Sequence, residues 1–120
     1  MQWKKPSQEL MAQQAKTMEP FHIDIKKMFG STCYFDNGQM VTGVHEDSVF
    51  LRLSETDRQE FKGKYAGAVS FEPMKGRPMK EYVIVPPQVF NDDAVLKPWI
   101  VRSIAYVRSM PPKPEKVKKK

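Results

Sequence analysis

Two histidines, one cysteine and two pairs of adjacent acids are the side chains on which acid–base, nucleophilic or metal chemistry could be built. His22 and His45 stand 23 residues apart, one ahead of a strand and one at a turn, and no HExxH, GxSxG, Walker A or GxGxxG spacing surrounds them. Cys33, the single cysteine, excludes an intrachain disulfide and a multi-cysteine zinc site. It falls in an apolar register beside Phe35 with no cation near enough to lower its pKa, so it reads as a core thiol rather than a nucleophile. Glu46-Asp47 and Asp92-Asp93 are explained by a turn and by a helix start. No catalytic residue, cofactor site or metal site is assigned, and the chain reads as a non-enzyme.

Basic side chains offer a second kind of chemistry, the capture of phosphate or another anion. Lys75, Arg77 and Lys80 cluster in and directly after a seven-residue connector, PMKGRPM, and Lys113, Lys116, Lys118, Lys119 and Lys120 fill the Pro/Lys-rich end of the chain. These eight are the candidate anion or nucleic-acid contacts. The chain carries 20 basic and 14 acidic side chains, a formal net charge of +6. Lys4, Lys5 and the five terminal lysines lie outside residues 6–110, and of the acids only Glu115 does, so that body holds 13 of each sign. The basicity belongs to the ends, and five lysines bound the salt slope on duplex DNA at about −4 to −5, a weak association at physiological salt. Lys26, Lys27, Phe29, Tyr34 and Arg52 interleave charge with aromatic rings, but Asp24, Asp36 and Glu46 share their region.

The elements that must position these groups are legible from periodicity. A length of 120 residues with 40% hydrophobic side chains suits one domain, 6–110, between a short N-terminus, 1–5, and a disordered tail, 111–120. No apolar run long enough for a signal peptide or membrane span is present, and a soluble cytoplasmic protein is expected. Leu10, Met11, Gln14 and Met18 predict a helix over 6–18, closed by Pro20, and HIDIKKMF predicts a strand. Asn37-Gly38 fits the centre of a type I′ hairpin, because both positions need positive φ. Counting outward pairs Phe35 with Met40, Tyr34 with Val41, Cys33 with Thr42, Thr32 with Gly43 and Ser31 with Val44. A turn at Glu46-Asp47 then pairs Val44 with Val49, Thr42 with Leu51 and Met40 with Leu53. This register puts Cys33, Phe35, Met40, Val44, Val49, Leu51 and Leu53 on one core face.

The opposite face of that meander carries Tyr34, Val41, Gly43, Phe50 and Arg52, with Phe50 covering the bare backbone of Gly43. Such a face is either covered by another element of the same chain or used for association. Tyr34, Val41, Phe50 and Arg52 are accordingly the candidate interaction surface, for a protein partner or a second copy. Ser54 with Glu55 and Asp57 predicts a helix N-terminus running to Lys62. AVSFE and YVIVP predict two further strands. Asn91-Asp92-Asp93 opens a last region in which a single turn at 92–96 precedes a main helix, with Pro98 in its first turn and Leu96, Trp99, Ile100, Ser103, Ile104 and Val107 on its inner face. The order predicts an α+β, two-layer domain with a mostly antiparallel sheet and helices packed on one face.

Lys27-Met28-Phe29-Gly30, Tyr34, Asp36-Asn37-Gly38-Gln39-Met40, Val49-Phe50-Leu51-Arg52, Tyr82, Val85-Pro86, Leu96 and Trp99 together resemble the N-terminal domain of the TfoX/Sxy family over roughly residues 8–108. Ser31-Thr32-Cys33 departs from the small glycines common there. The resemblance implies a secretion-chaperone-like α+β fold. It also implies kinship with bacterial regulators of competence genes that act with the cyclic-AMP receptor protein at promoters and carry a second, C-terminal domain. The chain reads as that N-terminal domain standing alone. The resemblance brings no catalytic or ligand residue, and the expected function is a regulatory or adaptor role through protein contacts, with a weak nucleic-acid-binding accessory as the alternative.

Overall fold

The computed structural model describes residues 8–28, 31–46, 48–74 and 77–110. In chain order these form α1 (Gln8–Met18), a 3-10 turn (Glu19–Phe21), β1 (Asp24–Met28), β2 (Ser31–Asp36), β3 (Gln39–His45), β4 (Ser48–Arg52), α2 (Glu55–Lys64), β5 (Ser70–Met74), β6 (Arg77–Val85), α3 (Pro87–Phe90) and α4 (Asp93–Arg108). The six strands make one antiparallel sheet in the order β1-β2-β3-β4-β6-β5. The helices pack on one face of it, giving the expected two-layer α+β domain. No helix among the described residues is long and apolar enough to cross a membrane.

Local chemistry sets several boundaries as expected. Asn37 and Gly38 both take positive φ, 57° and 74°, at the β2–β3 turn. Ser54 accepts a hydrogen bond from the Asp57 amide at 3.3 Å and caps α2. The β3–β4 register is also as counted, with Val44 opposite Val49, Gly43 opposite Phe50 and Thr42 opposite Leu51.

The β2–β3 register is not. Phe35 pairs with Met40, but Tyr34 then pairs with Thr42 and Cys33 with Gly43, because Val41 is an extra residue, a β-bulge. One inserted residue exchanges the faces beyond it. The expected core face is therefore split. Val44, Val49, Leu51 and Leu53 lie under the helices, whereas Cys33, Phe35 and Met40 lie on the far side of the sheet. Tyr34 and Val41 cross the other way, into the main core with Phe61, Trp99 and Ile100.

The far side has a smaller core of its own, in which Cys33, Phe50, Phe71 and Tyr82 are buried. Phe71 of β5 stacks on Phe50 of β4 with ring centroids 4.5 Å apart, although β6 runs between those strands. Neighbouring strands stand about 4.8 Å apart, so a flat sheet would hold these rings at nearly twice that distance. The β5–β6 pairing jumps from Ser70 opposite Val83 to Phe71 opposite Met79, and the hairpin bends there to fold over Phe50. Of the two outcomes the sequence leaves open for Phe50, cover by the same chain is the one observed.

Two further expectations are corrected. PMKGRPM is not a seven-residue connector: β5 runs to Met74 and β6 starts at Arg77. Pro98 does not open α4 but sits inside one continuous helix from Asp93, whose N-cap Asp92 accepts from the Ala94 amide at 3.1 Å. The carbonyl that Pro98 leaves without a donor is that of Ala94, which is exposed, so water can serve it.

Candidate interaction surface

α4 is amphipathic in both senses. Its inner side, Leu96, Trp99, Ile100, Ser103, Ile104 and Val107, is buried as the sequence predicts. At 100° per residue, Ala94, Pro98, Val101 and Ala105 fall together on the opposite side. All four are exposed, Val101 to 54%. Alongside runs the 3-10 turn, which Pro20 favours and which His22 ends by taking a left-handed φ of 42°. Pro20 and Phe21 of the turn, with Val101, Ile104, Ala105 and Arg108 of α4, line an open groove of about 320 Å³.

Both walls of this groove are tied down by polar contacts. Gln14 of α1 is buried and donates to Thr42 of β3 at 3.2 Å, Thr17 donates to Asp93 at 3.1 Å, and Gln13 to Asn91 at 2.8 Å. The far end of α4 is held by the β2–β3 turn. Asn37 donates from Nδ2 to the carbonyls of Val107 (2.8 Å) and Met110 (3.0 Å), satisfying acceptors that a helix C-terminus leaves free. Arg108 bonds Asp36 beside it. The residue that makes the hairpin turn thus also caps the helix carrying the groove.

The four residues expected to share an interaction surface do not. Tyr34 and Val41 are buried on the helix side, 5% and 0% exposed, and Phe50 is buried on the other side at 4%. The bulge at Val41 separates the first pair from the second, and the folded-over hairpin covers Phe50. Arg52 is half-buried in a polar cluster. Of the candidate anion contacts, Lys80 is exposed on β6 and Arg77 begins that strand. Lys75 and the five terminal lysines, Lys113, Lys116, Lys118, Lys119 and Lys120, lie outside the described residues. Cys33 is buried, which pushes its thiol up to about 11 and keeps it protonated at neutral pH. His45 sets its ring edge-on to Phe71 at 5.4 Å. No group of three or more metal-ligating side chains occurs among the described residues.

The Arg52 cluster joins the sheet to α4. Arg52 donates to Glu81 (2.7 Å) and Gln39 (3.0 Å) and lies 5.4 Å over the Tyr82 ring. The Tyr106 hydroxyl of α4 donates to the other Glu81 oxygen at 3.0 Å. Burial alone would raise the Glu81 carboxyl, but hydrogen bonds from Arg52 and Tyr106 and the charges of Arg52 and Arg58 outweigh it and hold it below its ordinary value. Glu81→Gln is expected to cost about 1–2 kcal/mol at neutral pH, since two charge-assisted bonds weaken at a site still 37% exposed. A depressed carboxylate pKa stabilises the fold above the unfolded value and loses that contribution as pH falls through the folded value. Thermal unfolding of the two proteins from neutral pH downward should show their difference closing on the acid side.

The outer stripe of α4 is what the reading of single residues misses, though its 94, 98, 101, 105 spacing is plain in the sequence. The inner face is the stronger signal, and the stripe gains meaning only when Pro20 and Phe21 are seen beside it. Comparison with curated proteins and with solved structures returns no match. A family model described as the TfoX N-terminal domain matches residues 14–107, a span that includes the 3-10 turn, all six strands and α4 almost to its end. With that match covering most of the chain, the protein belongs to the TfoX N-terminal domain family.

Proposed function

We propose that this TfoX-domain protein is a non-enzymatic regulatory adaptor that works by protein–protein contact in the cytoplasm, in competence or transcription regulation. The observation that carries this reading is the groove between the 3-10 turn and α4, an apolar concavity with rigid walls and an exposed Val101. Side chains that fold this domain are buried. Val101 is instead left in water on the longest helix of the described residues, where helix stability would favour a straight-chain polar residue over a β-branched apolar one.

Val101→Asp tests it. An exposed helical position tolerates the change to within about 0.5 kcal/mol in the free protein. Affinity capture from the native host in the presence of nuclease, followed by reconstitution with the purified partner, should show at least a tenfold loss of partner by the variant. Equal recovery by both proteins would remove the groove from the function. Recovery that disappears on nuclease treatment would replace a protein partner with nucleic acid.

A further inference from the structure

Independently of the α4 groove, we infer that β1 is a self-pairing edge: two copies of the chain join β1 to β1 antiparallel, with Ile25 opposite Ile25 of the second copy, and their sheets become one. β1 and β5 are the outer strands of the sheet. β5 carries Pro73, which has no N–H to donate, and its pairing with β6 is bent. β1 is regular throughout, from Asp24 opposite Phe35 to Met28 opposite Ser31. Alternation assigns its main-chain groups. Asp36 and Gln39 close the two-residue Asn37-Gly38 turn and so bond each other, which leaves Phe35 and Cys33 to turn their N–H and C=O groups toward Asp24 and Lys26 of β1. Ile25 and Lys27 then point theirs away from the sheet, where no other described element bonds them.

Two-fold pairing matches outward-turned residues with outward-turned ones, so the axis must pass through a residue. Asp24, Ile25, Lys26 and Lys27 are all exposed, and an axis at any of the three charged positions would set that charge against its own copy. At Ile25 it instead sets Asp24 of each copy opposite Lys26 of the other, on the side of the sheet away from the helices. Neither has an ion pair among the described residues, Lys26 lying 5.0 Å over the Phe35 ring. On the helix side Ile25 meets its copy. It is 61% exposed, the most of any large hydrophobic among the described residues, and with Met18, Ile23 and Tyr34 it lines an open hollow of about 290 Å³. The same register brings Lys27 opposite Ile23 of the second copy, beside the hollow that Glu19 also lines. Lysines on an open edge normally keep other strands away. Here the order acid, apolar, base along β1 complements itself when reversed, which selects a second copy as the occupant. A five-residue edge is a small interface, so the dimer forms and dissociates with concentration.

Sedimentation velocity on the full chain over a concentration series at low salt tests this, with the variants Asp24→Lys and Lys26→Asp. The unaltered chain is expected to dimerise below about 1 mM. Each variant sets like charges opposite each other at two places along the edge and should weaken the dimer about tenfold or more. Mixed in equal amounts, the two variants complement each other and should recover the original dimer, a rescue that only contact between chains can produce. Both positions are exposed, so the fold tolerates the changes, and circular dichroism checks it. Ile25→Lys, which puts a base opposite its own copy, should abolish the dimer as well. An unaltered chain that stays monomeric up to about 1 mM would overturn the inference. So would single variants that dimerise as the original does, or a mixture no more associated than its components. A dimer lost in Val101→Asp but kept in the β1 variants would place the contact at α4 and equally overturn it.

Discussion

Phe61→Ala is expected to lower the unfolding free energy by about 3–5 kcal/mol, the range for removing a large aromatic ring from a closed core. Phe61 is fully buried, and its ring meets Trp99 edge-on at 5.0 Å and Tyr65 at 5.1 Å. It is the only buried residue of α2, a helix of ten residues with Glu55 and Asp57 in its first turn and Lys62 and Lys64 in its last. Without that ring α2 has little apolar surface to hold it to the sheet. A domain of this size is stable by about 5–15 kcal/mol in all, so the variant should sit near its unfolding threshold at moderate temperature. Urea denaturation followed by tryptophan fluorescence, with Trp99 packed against Phe61, measures it. Phe61→Leu, which keeps most of the volume, should cost markedly less, and a loss below about 1 kcal/mol in Phe61→Ala would mean that α2 is not anchored through this ring.

Gly43→Ala is expected to cost about 1–3 kcal/mol by overpacking the smaller core. A methyl group at this position would stand 2.7 Å from the Phe50 ring and 2.9 Å from the Cys33 sulfur. Phe50 cannot swing aside freely, because it is stacked on Phe71 and meets Tyr82 edge-on at 5.7 Å. Both clashes are with side chains and not with backbone, and Phe50→Leu should relieve the closer one while the contact with Cys33 stays. The double variant is then expected to be more stable than the sum of the two single losses requires. Additive losses in denaturant melts would contradict the packing of Phe50 over Gly43. The same cycle reports on the folded-over hairpin, since it is Phe71 that prevents Phe50 from moving.

Both predictions lean on the two-sided sheet, and the sequence reveals that sheet unevenly. The hairpin at Asn37-Gly38, the cap at Ser54 and the inner face of α4 depend on residues within a few positions of one another, and each is found where local chemistry puts it. The pairing of β3 with β4 follows from counting across a short turn. Counting fails between β2 and β3, because the bulge at Val41 is settled by contacts from far along the chain. Val41 fits the core under α4, and Thr42 accepts from Gln14 of α1, 28 positions away. Pro98 fails for a related reason. Its local cost of roughly 3 kcal/mol within a helix is offset by the burial of Leu96, Trp99 and Ile100 around it, which only a continuous α4 provides.

The candidate groove divides along the same line. That α4 has a second, exposed apolar line flanked by Lys97, Arg102 and Arg108 is written in the spacing of its residues, as is the family resemblance that the match over residues 14–107 bears out. The α+β class, the turn and cap chemistry, and the balance of charge over residues 6–110 follow from local residue patterns and counting. Tertiary structure alone decided that Tyr34, Val41 and Phe50 are core and that Pro20 and Phe21 complete a groove with Val101. The physical reason is range: turns and caps are set by bonds between near neighbours, whereas a face of a sheet changes sides with one inserted residue, and which side wins depends on what distant segments can bury there.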